Sequence, residues 1–162
     1  MKKMLGMVLI LAIFITFSAC ESNANVKDKA DEDDNVKNHL SDMRIKLIFG
    51  DKELIVNMYD NPTSREFLDQ LPLKVTLQDF ANTEKISVLN KKLTTKNAPS
   101  GSNPSIGDLA YFSPWGNIAL FYEDHDFSNG LIKLGKIESG VGQLKSINGD
   151  FEVTIEKLNT GS

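Results

Sequence analysis

The chain has 162 residues, 25% of them charged, a formal net charge of −4 at pH 7 and a single cysteine. That length suits one domain behind any processed leader. An acidic chain offers no basic face to a phosphate backbone, and one cysteine allows neither an internal disulfide nor a cysteine-cluster zinc site, so no nucleic-acid partner is expected.

Lys2 and Lys3 form a basic n-region, and residues 5–17 are an almost unbroken apolar run, too short for a comfortable membrane span and suited to the h-region of a signal peptide. Ser18 and Ala19, small residues directly before Cys20, resemble the bacterial lipobox, although Phe17 stands where that motif usually has Leu. The resemblance implies a signal peptide over residues 1–19 and lipid on Cys20 as the mature N-terminus; the alternative is an ordinary secretory leader cleaved after Ala19. Two or more acyl chains hold a protein on a membrane where one does so marginally. The expected partner at this end is therefore membrane lipid through Cys20, with the domain lipid-anchored in the bacterial cell envelope outside the cytoplasm. Residues 20–42 read as an acidic disordered tether, because the run Asp31-Glu32-Asp33-Asp34 cannot bury itself and stays solvated.

The folded part spans residues 43–158. Ile45, Leu47 and Phe49 alternate with polar partners, Gly50-Asp51 supplies a hairpin turn, and Leu54, Val56 and Met58 carry the same face back. Residues 61–72 predict the one clear helix. Asn61 is its N-cap and Pro62 its first helical residue, Thr63 with Glu66 is an alternative capping box, and Phe67, Leu68 and Leu71 form the buried stripe. Pro72 ends it. Leu73, Val75 and Leu77 then alternate as a half-buried strand, and Ile86 and Val88 mark another. Residues 94–105, rich in Thr, Asn, Ser, Gly and Pro, predict a long surface loop.

Residues 107–122 hold the only Trp and an unusual density of aromatics. They read as strand 108–112, turn 113–117 and return strand 118–122, with Ile118, Leu120 and Tyr122 on one side and Ala119 and Phe121 on the other. A polar loop over 123–130 leads to a strand at 131–137, where Gly135 predicts a bulge or corner. After a turn at 139–142, Phe151, Val153 and Ile155 form the inner face of a last strand, and 159–162 is a tail. About eight short strands with one dominant helix predict a mainly β sandwich or barrel, the helix covering an open end.

Candidate chemistry is sparse. Asp124 and Asp126 share a side of an extended segment with His125 opposite, a poor geometry for one ion, so no metal site is assigned. There is no Gly-x-Ser-x-Gly elbow and no phosphate-cradling Gly-Lys-Ser/Thr, and no cofactor is expected. The aromatics stand out. Tyr111, Phe112, Trp115, Phe121, Tyr122 and Phe127 exceed what a small barrel can hold inside, so they either cap its ends as core or form an exposed recognition patch.

At these residues the chain resembles the bacterial cyclophilin-like barrel family. The features are Glu84-Lys85 before a short strand, Gly107-Asp108-Leu109-Ala110-Tyr111-Phe112, Pro114-Trp115-Gly116-Asn117, Phe121-Tyr122, Gly130-Leu131, Leu134-Gly135-Lys136-Ile137, and the helix ending Leu71-Pro72. The resemblance implies a closed or nearly closed barrel of about eight strands. True cyclophilins are peptidyl-prolyl isomerases with an arginine beside an apolar groove. Neither Arg44 nor Arg65 matches that position; Lys85 is the nearest cation in sequence context, and a lysine is a point charge rather than a planar fork. The expectation is a lipid-anchored domain that binds an unknown peptide or small ligand through Phe112, Trp115, Phe121 and Tyr122 without catalysis. The alternative is a weak prolyl isomerase acting on exported proteins with Lys85 as its cation.

Overall fold

The computed structural model describes residues 40–158. Cys20, the predicted signal peptide, nearly all of the predicted tether and the tail lie outside the described residues. Strands β1 (Leu40–Phe49), β2 (Lys52–Tyr59), β3 (Leu73–Phe80), β4 (Glu84–Val88), β6 (Asp108–Phe112), β7 (Asn117–Phe121), β9 (Leu131–Ile137) and β10 (Phe151–Leu158) close an antiparallel barrel in the order β1-β10-β3-β4-β7-β6-β9-β2. Two two-residue strands, β5 (Gly101–Ser102) and β8 (Ser128–Asn129), pair outside it. Helix α1 is Pro62–Asp69 and a single-turn helix α2 is Gly142–Lys145.

Period-two patterning builds the barrel. Ile45, Leu47, Leu54, Val56, Met58, Leu109, Tyr111, Ile118, Leu120, Val153 and Ile155 all point inward and are fully or almost fully buried. Each such side chain contributes about 1.5–3 kcal/mol of burial free energy. Closure removes the exposed sheet edges that would otherwise template aggregation.

Helix α1 forms where the capping residues predict. The Asn61 side chain accepts from the Ser64 amide at 2.8 Å, with Pro62 directly behind. The alternative capping box does not form, because Thr63 and Glu66 hold the chain at Thr94 instead: Thr63 Oγ1 donates to the Thr94 carbonyl at 2.8 Å, and the Thr94 amide donates to Glu66 Oε2 at 2.6 Å. Phe67 and Leu68 plug the core, while Ser64 Oγ and Asn61 Nδ2 each donate at 3.0 Å to carbonyls of β9, at Leu134 and Lys133.

Two local expectations change. The predicted surface loop 94–105 includes β5, which is buried. A Cβ on Gly101 would stand 2.3 Å from the Ser128 carbonyl oxygen, so only glycine lets the two short strands approach. The turn after β9 continues into α2, whose Leu144 is fully buried. At Gly135 the bulge is present: the β6–β9 register slips between Leu109 and Ala110, and a Cβ on Gly135 would meet the Asn57 carbonyl oxygen at 2.5 Å.

Candidate functional site

The sheet β4-β7-β6-β9 carries an apolar cluster on each face. Its inner face belongs to the barrel core. Its outer face carries a second, separate cluster of Ile86, Ala110, Ala119, Phe121 and Leu131, with Phe112 packed on it. Strand register sets these residues in cross-strand rows. Phe80, Glu84 and Phe121 form one row, Ile86, Ala119 and Ala110 the next, and Asn117, Phe112 and Leu131 a third. The middle row contains the two alanines, so the floor is low between taller rows. That relief makes a groove of about 150 Å³, lined by Phe80, Glu84, Phe112, Trp115, Asn117, Phe121, His125, Ser128 and Leu131.

Trp115 comes from the β6–β7 turn and is 53% exposed. It stands edge-on to Phe80, with centroids 5.4 Å apart and planes at 86°, and to Phe112 at 5.3 Å and 83°. Phe121 lies 6.5 Å from the His125 ring, which reaches the groove from the following loop. Asp124 holds that loop down by accepting from the Ile106 amide at 2.9 Å, and His125 Nδ1 sits 2.9 Å from the Asp126 carbonyl oxygen. Among the described residues no three His, Cys, Asp or Glu side chains converge as metal ligands.

Two acceptors in this apolar setting lack partners. Glu84 Oε2 and Asn117 Oδ1 are buried with no hydrogen bond, although Asn117 Nδ2 donates to the Ile118 carbonyl at 3.1 Å. A buried polar atom left unpaired costs about 1–3 kcal/mol, so a pair of them in one groove is a feature to explain. Burial pushes the Glu84 carboxyl up to about 7, and the nearby His125 offsets part of that rise.

The structure brings Phe112, Trp115 and Phe121 together in the groove and places Lys85 and Tyr122 behind it. Adjacent residues on a strand face opposite ways, so Lys85 turns inward where Glu84 turns outward. Lys85 is fully buried; its Nζ donates to Asp79 Oδ2 at 2.6 Å and to the Ile147 carbonyl at 2.8 Å, and lies 5.5 Å from the Tyr122 ring centroid. The Tyr122 hydroxyl donates to the same Asp79 oxygen at 2.8 Å. The hydrogen bond from Lys85 holds the Asp79 carboxyl below its ordinary value, while burial and the Asp79 carboxylate push the Tyr122 hydroxyl up to about 12. This triad borders a second, more polar hollow of about 300 Å³ beside Asn82, Lys145 and Gly149.

Phe80, Glu84, Asn117, Ser128 and Leu131 are groove residues that sequence reasoning passes over, and His125, weighed there only with Asp124 and Asp126 for a metal, joins them. The signal for some of them is present. Strands β6 and β7 are apolar on both faces, which in an antiparallel sheet means that something covers the outer side.

An eight-stranded closed antiparallel barrel with two short helices is the fold of cyclophilin-like domains. The chain belongs to the cyclophilin-like family, whose sequence model matches residues 47–156. The solution structure of a hypothetical protein from Archaeoglobus fulgidus is similar, with a TM-score of 0.52 and 22% identity over 70% of this chain and 93% of that one, a likeness of fold. No curated protein matches the sequence. No helix among the described residues is long and apolar enough to cross a membrane.

Proposed function

We propose that this domain is a binding module that receives one side chain of a peptide in the outer-wall groove and catalyses no reaction on it. The observation that carries this reading is the pairing, in one hollow, of a partly exposed aromatic wall with two unfilled buried acceptors. A groove of about 150 Å³ suits a single side chain, since sites for whole small molecules are usually about 300–1,000 Å³. Prolyl isomerisation, the alternative, must lower a barrier of roughly 18–20 kcal/mol by aiming a donor at the twisting amide. Here Lys85 is engaged behind the sheet by Asp79 and Ile147, and Asn117 Nδ2 is engaged by Ile118.

A protease-coupled assay on an Ala-Pro peptide tests the choice. Binding without catalysis predicts the solvent rate at every protein concentration, and acceleration that scales with protein concentration would reverse it. Anchoring at the envelope through Cys20 is part of the same proposal, supported by the basic n-region, the apolar run and the small residues before Cys20. Radiolabelled palmitate should enter the wild-type chain and not Cys20→Ala; equal absence of label from both would leave a plain secreted protein.

A further inference from the structure

We infer that the groove takes the charged end of a lysine or arginine side chain from a peptide, with Glu84 as counter-ion and Phe80, Phe112 and Trp115 as its aromatic wall. The inference rests on the groove being the ligand site and names the chemistry of its ligand.

The first support is the hydrogen-bond inventory. Asn117 is only 2% exposed, lines the groove and leaves Oδ1 unpartnered; the buried Oε2 of half-buried Glu84 is likewise unpartnered two rows away, across the alanine floor. Asn117 Oδ1 accepts, and so does Glu84 Oε2 once the carboxyl is ionised, so a ligand that completes them in that state must donate. An ammonium brings three donors and a guanidinium five, whereas a proline ring or an aliphatic side chain brings none.

The wall is the second support. Trp115 makes edge contacts with Phe80 and Phe112 at 86° and 83°. Trp115 is 53% and Phe80 38% exposed, so part of the ring surface stays open to a ligand. Aromatic faces attract cations, Trp most strongly, and the attraction grows as the cation leaves water. A buried carboxylate among such rings is a costly element for an apolar ligand site and a fitting one for a cation.

Charge and size complete the argument. The chain carries a net charge of −4, and Glu123, Asp124 and Asp126 flank His125 in the loop beside the groove. The volume of about 150 Å³ accepts the end of one long side chain. Trp115 and Phe80 are exposed on the wall, and Phe127 is exposed in the neighbouring loop, offering apolar ledges to the stem and to flanking peptide residues. These ledges favour a peptide over a free amine.

Binding a cation requires ionised Glu84. The ionisable groups around it are His125 from the loop after β7, Tyr122 at the end of β7 and Lys85 on β4 itself, the last held on the inner side by Asp79 of β3. Because the carboxyl titrates at about 7 in the ligand-free domain, affinity should rise about ten-fold from pH 6 to pH 8, and about half a proton should be released per ligand bound at pH 7.

The test uses the full-length chain in detergent and follows the fluorescence of Trp115, the only tryptophan. It is titrated with end-blocked Gly-Gly-X-Gly-Gly peptides in which X is lysine, arginine, norleucine or proline, and with n-butylammonium. The lysine and arginine peptides should saturate the signal at least ten-fold tighter than the other three probes. Glu84→Gln, checked for an unchanged far-ultraviolet circular dichroism spectrum, should abolish that preference and the pH dependence, and Glu152→Gln, an exposed change on β10 outside the groove, should keep both. If proline or norleucine binds as tightly as lysine, and Glu84→Gln changes nothing, the cation inference is overturned while the groove remains the ligand site. Equal affinity for butylammonium overturns the peptide source. Silence from every probe overturns the groove reading itself.

Discussion

Replacing Glu84 with Gln should stabilise the protein at alkaline pH and leave it nearly unchanged at pH 5. Register puts Glu84 between Phe80 and Phe121, where burial raises its carboxyl from 4.5 to about 7. The folded state therefore holds the proton more tightly than the unfolded chain. The stability this confers is fully present below the unfolded value and is lost as pH rises through the folded one. Each ten-fold change in proton affinity is worth about 1.4 kcal/mol, so ionising Glu84 in the folded state costs at most about 3 kcal/mol, and its partial exposure brings the expected figure to about 1–2 kcal/mol. Glutamine has no proton to lose and escapes this cost. Urea denaturation of wild type and variant at pH 5 and pH 8.5 isolates the effect, because every other titrating group is common to both proteins. The variant should match wild type within about 0.5 kcal/mol at pH 5 and exceed it by about 1–2 kcal/mol at pH 8.5. A difference independent of pH, or one in which wild type gains on the variant as pH rises, would refute the assignment of a strained carboxylate to this groove.

Three further outcomes follow from the packing. Lys85→Ala removes a buried stem and two hydrogen bonds inside the barrel, so it should cost about 3 kcal/mol in urea denaturation and leave the affinity of any groove ligand within two-fold at a temperature where the variant is folded. Phe67→Ala opens a cavity where α1 plugs the core and should cost about 3–5 kcal/mol by the same measurement. Asn61→Ala loses the cap to Ser64 and the bond to the Lys133 carbonyl; a loss of about 1–2 kcal/mol is expected, with hydrogen exchange rising first in α1.

Much of the barrel is legible in the amino-acid sequence because strand patterning is local. Ile45, Leu47 and Phe49 announce their face by their own spacing, Asn61-Pro62 announces the helix start, and Gly135 announces the bulge. The short β5–β8 pairing is not legible, since two residues in a polar loop carry no period and Gly101 reads as turn chemistry until the approach of Ser128 is seen. The groove is half legible. Aromatic density points to Phe112, Trp115 and Phe121, but parity along the strand decides membership, and it sends Tyr122 and Lys85 to the core side beside Asp79. Glu84 is silent in sequence because its perturbation is made by chain brought from elsewhere: Phe80 across one strand pair, Phe121 across the other, and Trp115 folded over from a distant turn. The resemblance to the cyclophilin-like family reaches the fold, and the chemistry of the groove comes from the side chains that line it.

The central claim is that the outer wall of the barrel, and not its polar end, receives the ligand. A two-dimensional amide NMR titration with the lysine-centred peptide, repeated with the proline-centred one, reads this directly. The indole N–H of Trp115, the side-chain amide of Asn117 and the backbone amides of Phe112, Phe121 and Ser128 should shift together and saturably, while those of Asn82, Lys145 and Gly149 stay in place. Shifts confined to Asn82, Lys145 and Gly149 would contradict the account and move the ligand to the hollow beside Asp79.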